Sequence, residues 1–172
     1  MKLRLTVAAV LLSLFAATTA HAAKRVDPPE FRAMTQPEAG KALLQKALAE
    51  AGKGSWERIA VGRVYYLGGM KAEGQAIFDS ILGQDPDPSD LFRVARVYRE
   101  AGEWPRAKEL FDKSLLLNPT DENGLAEVGA YYLANGDRAT TEALFDRSFK
   151  IAAEIWASVT AAGAYLGVAP QE

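Results

Sequence analysis

Aromatic, small and glycine residues recur through the middle of the sequence at a nearly constant interval. Four sets keep this interval, and they are Phe78, Phe111 and Phe145; Tyr65, Tyr98 and Tyr132; Gly69, Gly102 and Gly136; and Gly62, Ala95 and Gly129. Four positions that repeat in phase indicate one structural unit repeated along the chain, with each copy burying the same face against its neighbours. The fold is therefore expected to be an array of similar units.

The unit at residues 88–121 has the pattern of two helices joined by a tight turn. Pro88 can open the first helix, because a proline at the first helical position loses no hydrogen bond. Gly102 can end it, because glycine adopts the left-handed backbone conformation that closes many helices. Ala95 is small enough for the second helix to approach closely. Phe111 is then predicted to fill the wedge between the two helices.

A period of about 34 residues with two helices per unit resembles the tetratricopeptide repeat family. The resemblance implies an all-α fold, a right-handed α-solenoid of antiparallel helix pairs over residues 37–168. The three expected units occupy 55–87, 88–121 and 122–154. A leading half-unit at 37–51 and a C-terminal capping helix at 155–167 are expected to flank them. Seven helices are expected in all.

The first 22 residues differ from the rest of the chain. Lys2 and Arg4 precede an apolar run, and Ala20-His21-Ala22 provides the small residues of a cleavage site. This pattern is typical of a secretory signal peptide. We therefore expect cleavage after Ala22 and a protein of the bacterial periplasm, without stable membrane insertion. An uncleaved anchor is the alternative, although the apolar run is short for a spanning helix. Residues 23–36 are expected to form an extended tail.

Composition narrows the chemistry that is open to the mature chain. It would contain no cysteine and, after loss of His21, no histidine. A Cys nucleophile, a Ser–His relay and a His-ligated metal are excluded, so a non-enzymatic protein without cofactor or metal is expected. Chemistry by carboxylates alone is the enzymatic alternative. Removing Lys2 and Arg4 takes the formal net charge from −2 to −4, and such a chain is not expected to bind nucleic acid.

The family resemblance implies that the first helices of the units line a concave groove that binds a protein or peptide. The corresponding positions here are Trp56, Ile59, Arg63, Tyr66, Phe92, Arg96, Arg99, Asn123, Ala126 and Leu133. An apolar strip edged by guanidinium groups suits a partner with acidic groups or a free carboxylate. The protein would then serve as a scaffold or assembly factor. The alternative is that Ile59 and Phe92 pack within the solenoid and that the arginines pair with nearby glutamates.

Residues 155–171 carry no charged side chain. The terminal helix of a solenoid normally presents a polar outer face, and an exposed apolar patch often marks an interface. One interpretation is a mildly apolar cap. The other, which defines the alternative function, is a self-associating subunit that forms a homodimer through Trp156, Val159 and Tyr165.

Overall fold

The computed structural model describes residues 31–152 and 155–170. The predicted signal peptide and most of the predicted tail lie outside the described residues. Within them the chain forms helices and no strands, namely α1 (Gln36–Ala51), α2 (Ser55–Leu67), α3 (Lys71–Leu82), α4 (Pro88–Glu100), α5 (Trp104–Leu117), α6 (Glu122–Ala134), α7 (Arg138–Ile151) and α8 (Ile155–Tyr165).

Consecutive helices pack in pairs, α2 with α3, α4 with α5 and α6 with α7, and this confirms the predicted α-solenoid. The expected number of seven helices is wrong for the described ranges. The leading helix, three pairs and a final helix make eight. No helix in the described ranges is both long and apolar enough to cross a bilayer.

The first helix of each pair ends in the same turn. The glycine that follows it has a positive φ, which is 89° at Gly69, 77° at Gly102 and 84° at Gly136. After Gly102, the N–H of Glu103 donates to the carbonyl of Tyr98 at 2.8 Å. Because glycine adopts this conformation without steric cost, the recurring glycines determine where each second helix begins.

Phenylalanines of the second helices pack against small residues of the first. A Cβ added at Gly62 would lie 2.6 Å from Cε1 of Phe78, and one at Gly129 would lie 2.7 Å from Cε1 of Phe145. The phenylalanines are buried, as is Phe111 between them in sequence. A mid-helix glycine costs about 1 kcal/mol relative to alanine, and here that cost permits the close contact between helices.

The terminal helices are less well covered than the three pairs. None of the residues of α1 is buried, although Leu44, Ala47 and Leu48 pack partly against the core. The last helix, α8, packs mainly on α6 and buries only Ala157 and Ala161. The core is therefore concentrated in α2 to α7.

Candidate partner-binding site

A cleft of about 200 Å³ lies between α2 and α4, the first helices of two consecutive pairs. The residues that line this α2–α4 cleft are Trp56, Ile59, Ala60, Arg63, Arg93, Arg96 and Val97. The side chain of Trp56 is 63% exposed, and the guanidinium carbon of Arg93 lies 4.7 Å from the centre of its ring. The cleft thus combines an accessible aromatic surface with three guanidinium groups.

Two of these arginines form ion pairs with glutamates on the first helix of the next pair. Arg63 binds Glu100 with two nitrogens, and its Nε donates to Oε2 at 2.8 Å. Arg96 donates from Nε and Nη2 to the two carboxylate oxygens of Glu127, each at 2.6 Å. These ion pairs agree with the alternative prediction, in which the arginines pair with nearby glutamates. The pairs fix the arginine side chains and join α2 to α4 and α4 to α6.

The predicted groove residues divide by their burial. Ile59, Tyr66, Phe92 and Ala126 are buried. Trp56, Arg63 and Asn123 are exposed, and Arg96, Arg99 and Leu133 are half-buried. A buried side chain offers little surface to a partner, so the first group supports the site from beneath. Partner binding by the others stays a prediction.

Arg99 and Leu133 belong to a different part of the surface from the α2–α4 cleft. They line a hollow of about 590 Å³ at the C-terminal ends of α6 and α8, together with Tyr165 and Val168. The guanidinium carbon of Arg99 lies 4.5 Å from the centre of the Tyr131 ring. The structure therefore does not bring all of the predicted groove residues into one continuous pocket.

Tyr66 participates in a polar network that the sequence analysis did not predict. Its hydroxyl donates to Oε1 of Glu103 at 2.9 Å. Lys71 lies 2.6 Å from the same oxygen, and Arg106 donates to Oε2 of Glu103 at 2.9 Å. Arg106 also donates to Oε1 of Gln75 at 2.7 Å. The network connects α2 and α3 of one pair with the turn and second helix of the next, so it stabilises their relative positions.

The ammonium group of Lys71 is the main reason why the pKa of Glu103 falls from its usual 4.5 to about 2. Arg106 and the Tyr66 hydroxyl lower the pKa further, and partial burial opposes them. Burial raises the pKa of Tyr66, and its hydrogen bond to Glu103 adds to the shift. At neutral pH Glu103 is therefore ionised and Tyr66 keeps the proton that it donates.

Glu103→Gln is expected to lower the free energy of unfolding near neutral pH and to have little effect near pH 2. The folded-state pKa of Glu103 lies below its unfolded value, so its stabilising contribution is present above pH ~4.5 and is lost as pH falls toward ~2. Urea unfolding of the wild type and the variant between pH 2 and pH 7 measures the loss of unfolding free energy at each pH. The matched control is Glu109→Gln on the exposed surface of α5. If the loss caused by Glu103→Gln did not depend on pH, the assignment would be contradicted.

No cluster of three or more side chains able to hold a metal ion occurs in the part of the chain that the structure describes. The helix pairs, the cleft between their first helices and the recurring glycine turns define a helical-repeat protein. Residues 88–121, which contain α4 and α5, match the model of the family described as Tetratricopeptide repeat. The α4–α5 pair is therefore similar to a tetratricopeptide repeat, and repeats of this type generally serve as protein–protein interaction modules. No curated protein and no solved structure shows a significant match to it.

Proposed function

We propose that the protein is a non-enzymatic scaffold or assembly factor of the bacterial periplasm that binds a protein or peptide partner in the α2–α4 cleft. The partner would present an acidic side chain or a free carboxylate. The observation that carries this proposal is the pairing of the exposed Trp56 ring with the Arg93 guanidinium in a concave site. Tryptophan and arginine are the residues most often found at the energetic centre of protein interfaces.

The guanidinium carbon of Arg93 lies over the Trp56 ring at the α2–α4 cleft. A guanidinium group carries five N–H donors in a planar fork, so it can form a bidentate pair with a carboxylate while it contacts an aromatic ring. Arg63 and Arg96 already bind Glu100 and Glu127. The positive charges of these two arginines are therefore compensated within the protein. Among the three, Arg93 is therefore the best candidate for direct contact with a partner.

The proposed location and the absence of catalysis rest on the sequence. The leader pattern that ends at Ala22 supports export. A chain without cysteine, and without histidine after cleavage, has no Cys nucleophile and no Ser–His relay, which supports a non-enzymatic role. The net negative charge agrees with a protein partner better than with a nucleic acid.

The charge reversal Arg93→Glu is expected to reduce capture of the partner at least tenfold, since a bound carboxylate would then face a like charge. Capture can be measured by crosslinking the purified protein in an envelope extract and quantifying the partner. Lys113→Glu on exposed α5 surface serves as the charge-matched control. Circular dichroism verifies that both variants keep their helicity. Capture that is unchanged in Arg93→Glu and in Trp56→Ala would exclude the cleft as the site.

Arg93 is a better position for the test than Arg63 and Arg96, because those two arginines also form ion pairs between helices. The double variant Arg63→Glu with Arg96→Glu is also expected to abolish capture. However, it would place each new carboxylate beside Glu100 or Glu127, and such like-charge contacts destabilise the joints between helices. Arg93→Glu separates binding from stability more cleanly.

A second candidate function, that of a self-associating subunit, is favoured by the apolar surface of α8. Ile155, Trp156, Val159 and Tyr165 are all exposed large hydrophobic side chains. Contiguous exposed apolar surface of this kind commonly marks a protein interface. In this case Trp156→Ala is expected to weaken self-association, as measured by sedimentation velocity.

A further inference from the structure

The two ends of the solenoid present opposite halves of a repeat unit. When the sequence is aligned by its repeat period, α1 corresponds to the second helix of a unit. Its Gly40 and Leu44 lie one period before Gly74 and Phe78 of α3. The last helix corresponds to a first helix, because Tyr165 follows Tyr132 of α6 by one period. Within the described residues, α1 has no first helix ahead of it and α8 has no second helix after it.

The N-terminal end is open at the positions where a first helix would pack. Among the described residues, a Cβ added at Gly40 would meet no atom of a neighbouring helix within 4 Å, whereas one at Gly74 would lie 2.7 Å from the carbonyl oxygen of Gly62. Leu43 is 38% exposed, but its equivalent in α3, Ile77, is 7% exposed. The surface that α3 buries against α2 is therefore uncovered on α1.

The C-terminal end is open at the positions that a following unit would cover. Val159 is 53% exposed, whereas its equivalent Phe92 is 8% exposed. Tyr165 is 51% exposed, whereas its equivalent Tyr98 is 2% exposed. Ala162 of α8 is also exposed, although it aligns with the small residues that receive a phenylalanine in the other units. Within the described residues, α8 does not present the charged outer face with which a terminal repeat normally meets water.

We propose that α8 of one copy packs against α1 of a second copy and so completes a repeat unit across the junction. Gly40 would permit close approach to the backbone of α8, as Gly74 does on α2. Leu44 would cover Ala162, as Phe78 covers Gly62. This inference rests on the second candidate function, since it names the partner of the apolar end, and it does not depend on the α2–α4 cleft.

The charges of the two surfaces agree with this pairing. The residues of α8 are all uncharged. On α1 the exposed Gly40 and Leu43 lie beside Leu44 and Ala47, which are partly buried against the core. Neither surface would bury an unpaired charge, which would oppose association strongly. Because the contact joins different surfaces of identical chains, it is heterologous, and repetition gives either an open filament or a closed ring. A symmetric contact between two α8 helices would stop at a dimer.

Each of two variants is designed to block one of the two surfaces of the proposed junction. Gly40→Glu places a charged side chain in open space on α1, and Ala162→Glu does so on the exposed face of α8. Sedimentation velocity of the purified protein is expected to show species larger than a dimer as concentration rises. Each variant alone is expected to weaken association at least tenfold. An equimolar mixture retains one intact junction, so it is expected to form a heterodimer and nothing larger. Leu116→Glu, on exposed α5 surface, is the control and should assemble like the wild type.

Other results would overturn the proposal. A wild type that is monomeric at all concentrations excludes any self-association. A Gly40→Glu protein that still dimerises, with no new species on mixing, indicates a symmetric contact through α8. Leu43→Glu is a second variant of the same end if Gly40→Glu loses helicity by circular dichroism. Arg93→Glu should assemble normally, so failure of this inference and failure of the proposed cleft function can be told apart.

Discussion

Replacing Phe111 by alanine is expected to lower the free energy of unfolding by about 3–5 kcal/mol. The side chain has 0% exposure. Its ring centre lies 4.9 Å from that of Phe92 in the same helix pair and 5.2 Å from that of Tyr131 in the next pair. Truncation would therefore leave a cavity that two pairs share, and neither pair can close it alone. Urea unfolding followed by far-ultraviolet circular dichroism measures the loss.

The matched control for this prediction is Leu116→Ala, on the same helix. Leu116 is 77% exposed, and exposed substitutions usually change stability by no more than about 0.5 kcal/mol. Similar small effects for the two substitutions would show that Phe111 does not hold the units together. The predicted loss is a large part of the roughly 5–15 kcal/mol by which native domains are stable.

Two equivalent glycines are expected to respond to the same substitution with opposite signs. Gly74→Ala should destabilise the protein by about 1–3 kcal/mol, as overpacking does. Its new methyl group would lie 2.7 Å from the Gly62 carbonyl oxygen and from the Tyr66 amide nitrogen, which are backbone atoms. Gly40→Ala should instead stabilise it by up to about 1 kcal/mol through helix propensity, because no atom of a neighbouring helix in the described part of the chain lies within 4 Å of the added carbon.

Urea unfolding at low protein concentration, where self-association is weak, compares these two alanine variants. Both have the same gain in helix propensity, so the difference between them reports the contact with the neighbouring helix alone. Equal changes in stability would mean that Gly40 and Gly74 have similar surroundings, and the assignment of α1 as an unpaired second helix would fail.

The sequence was sufficient to predict the helix pairs because their chemistry is local. The recurring glycines have positive φ at Gly69, Gly102 and Gly136, and the buried phenylalanines lie where the repeat period places them. The predicted number of seven helices was wrong. The three units contribute six helices, and the two flanking helices bring the total in the described ranges to eight.

The surface was predicted less well, because repeat position identifies the face of a helix but not how far its neighbour covers that face. Ile59 and Phe92 therefore turned out to be buried, whereas Trp56 is exposed. The network around Glu103 joins residues up to 40 positions apart, and no local pattern relates them. The two arginine–glutamate pairs span 37 and 31 positions, so only the possibility of such pairing was evident.

Site-specific photo-crosslinking tests the central functional claim most directly. A photoreactive phenylalanine analogue at Ala60, which is exposed and lines the α2–α4 cleft, is compared with the same analogue at Leu116 on α5. In envelope extract, the account predicts a discrete protein adduct from position 60, none from position 116, and loss of the adduct in the Arg93→Glu background. An adduct of equal yield from both positions, or none from position 60, would contradict it.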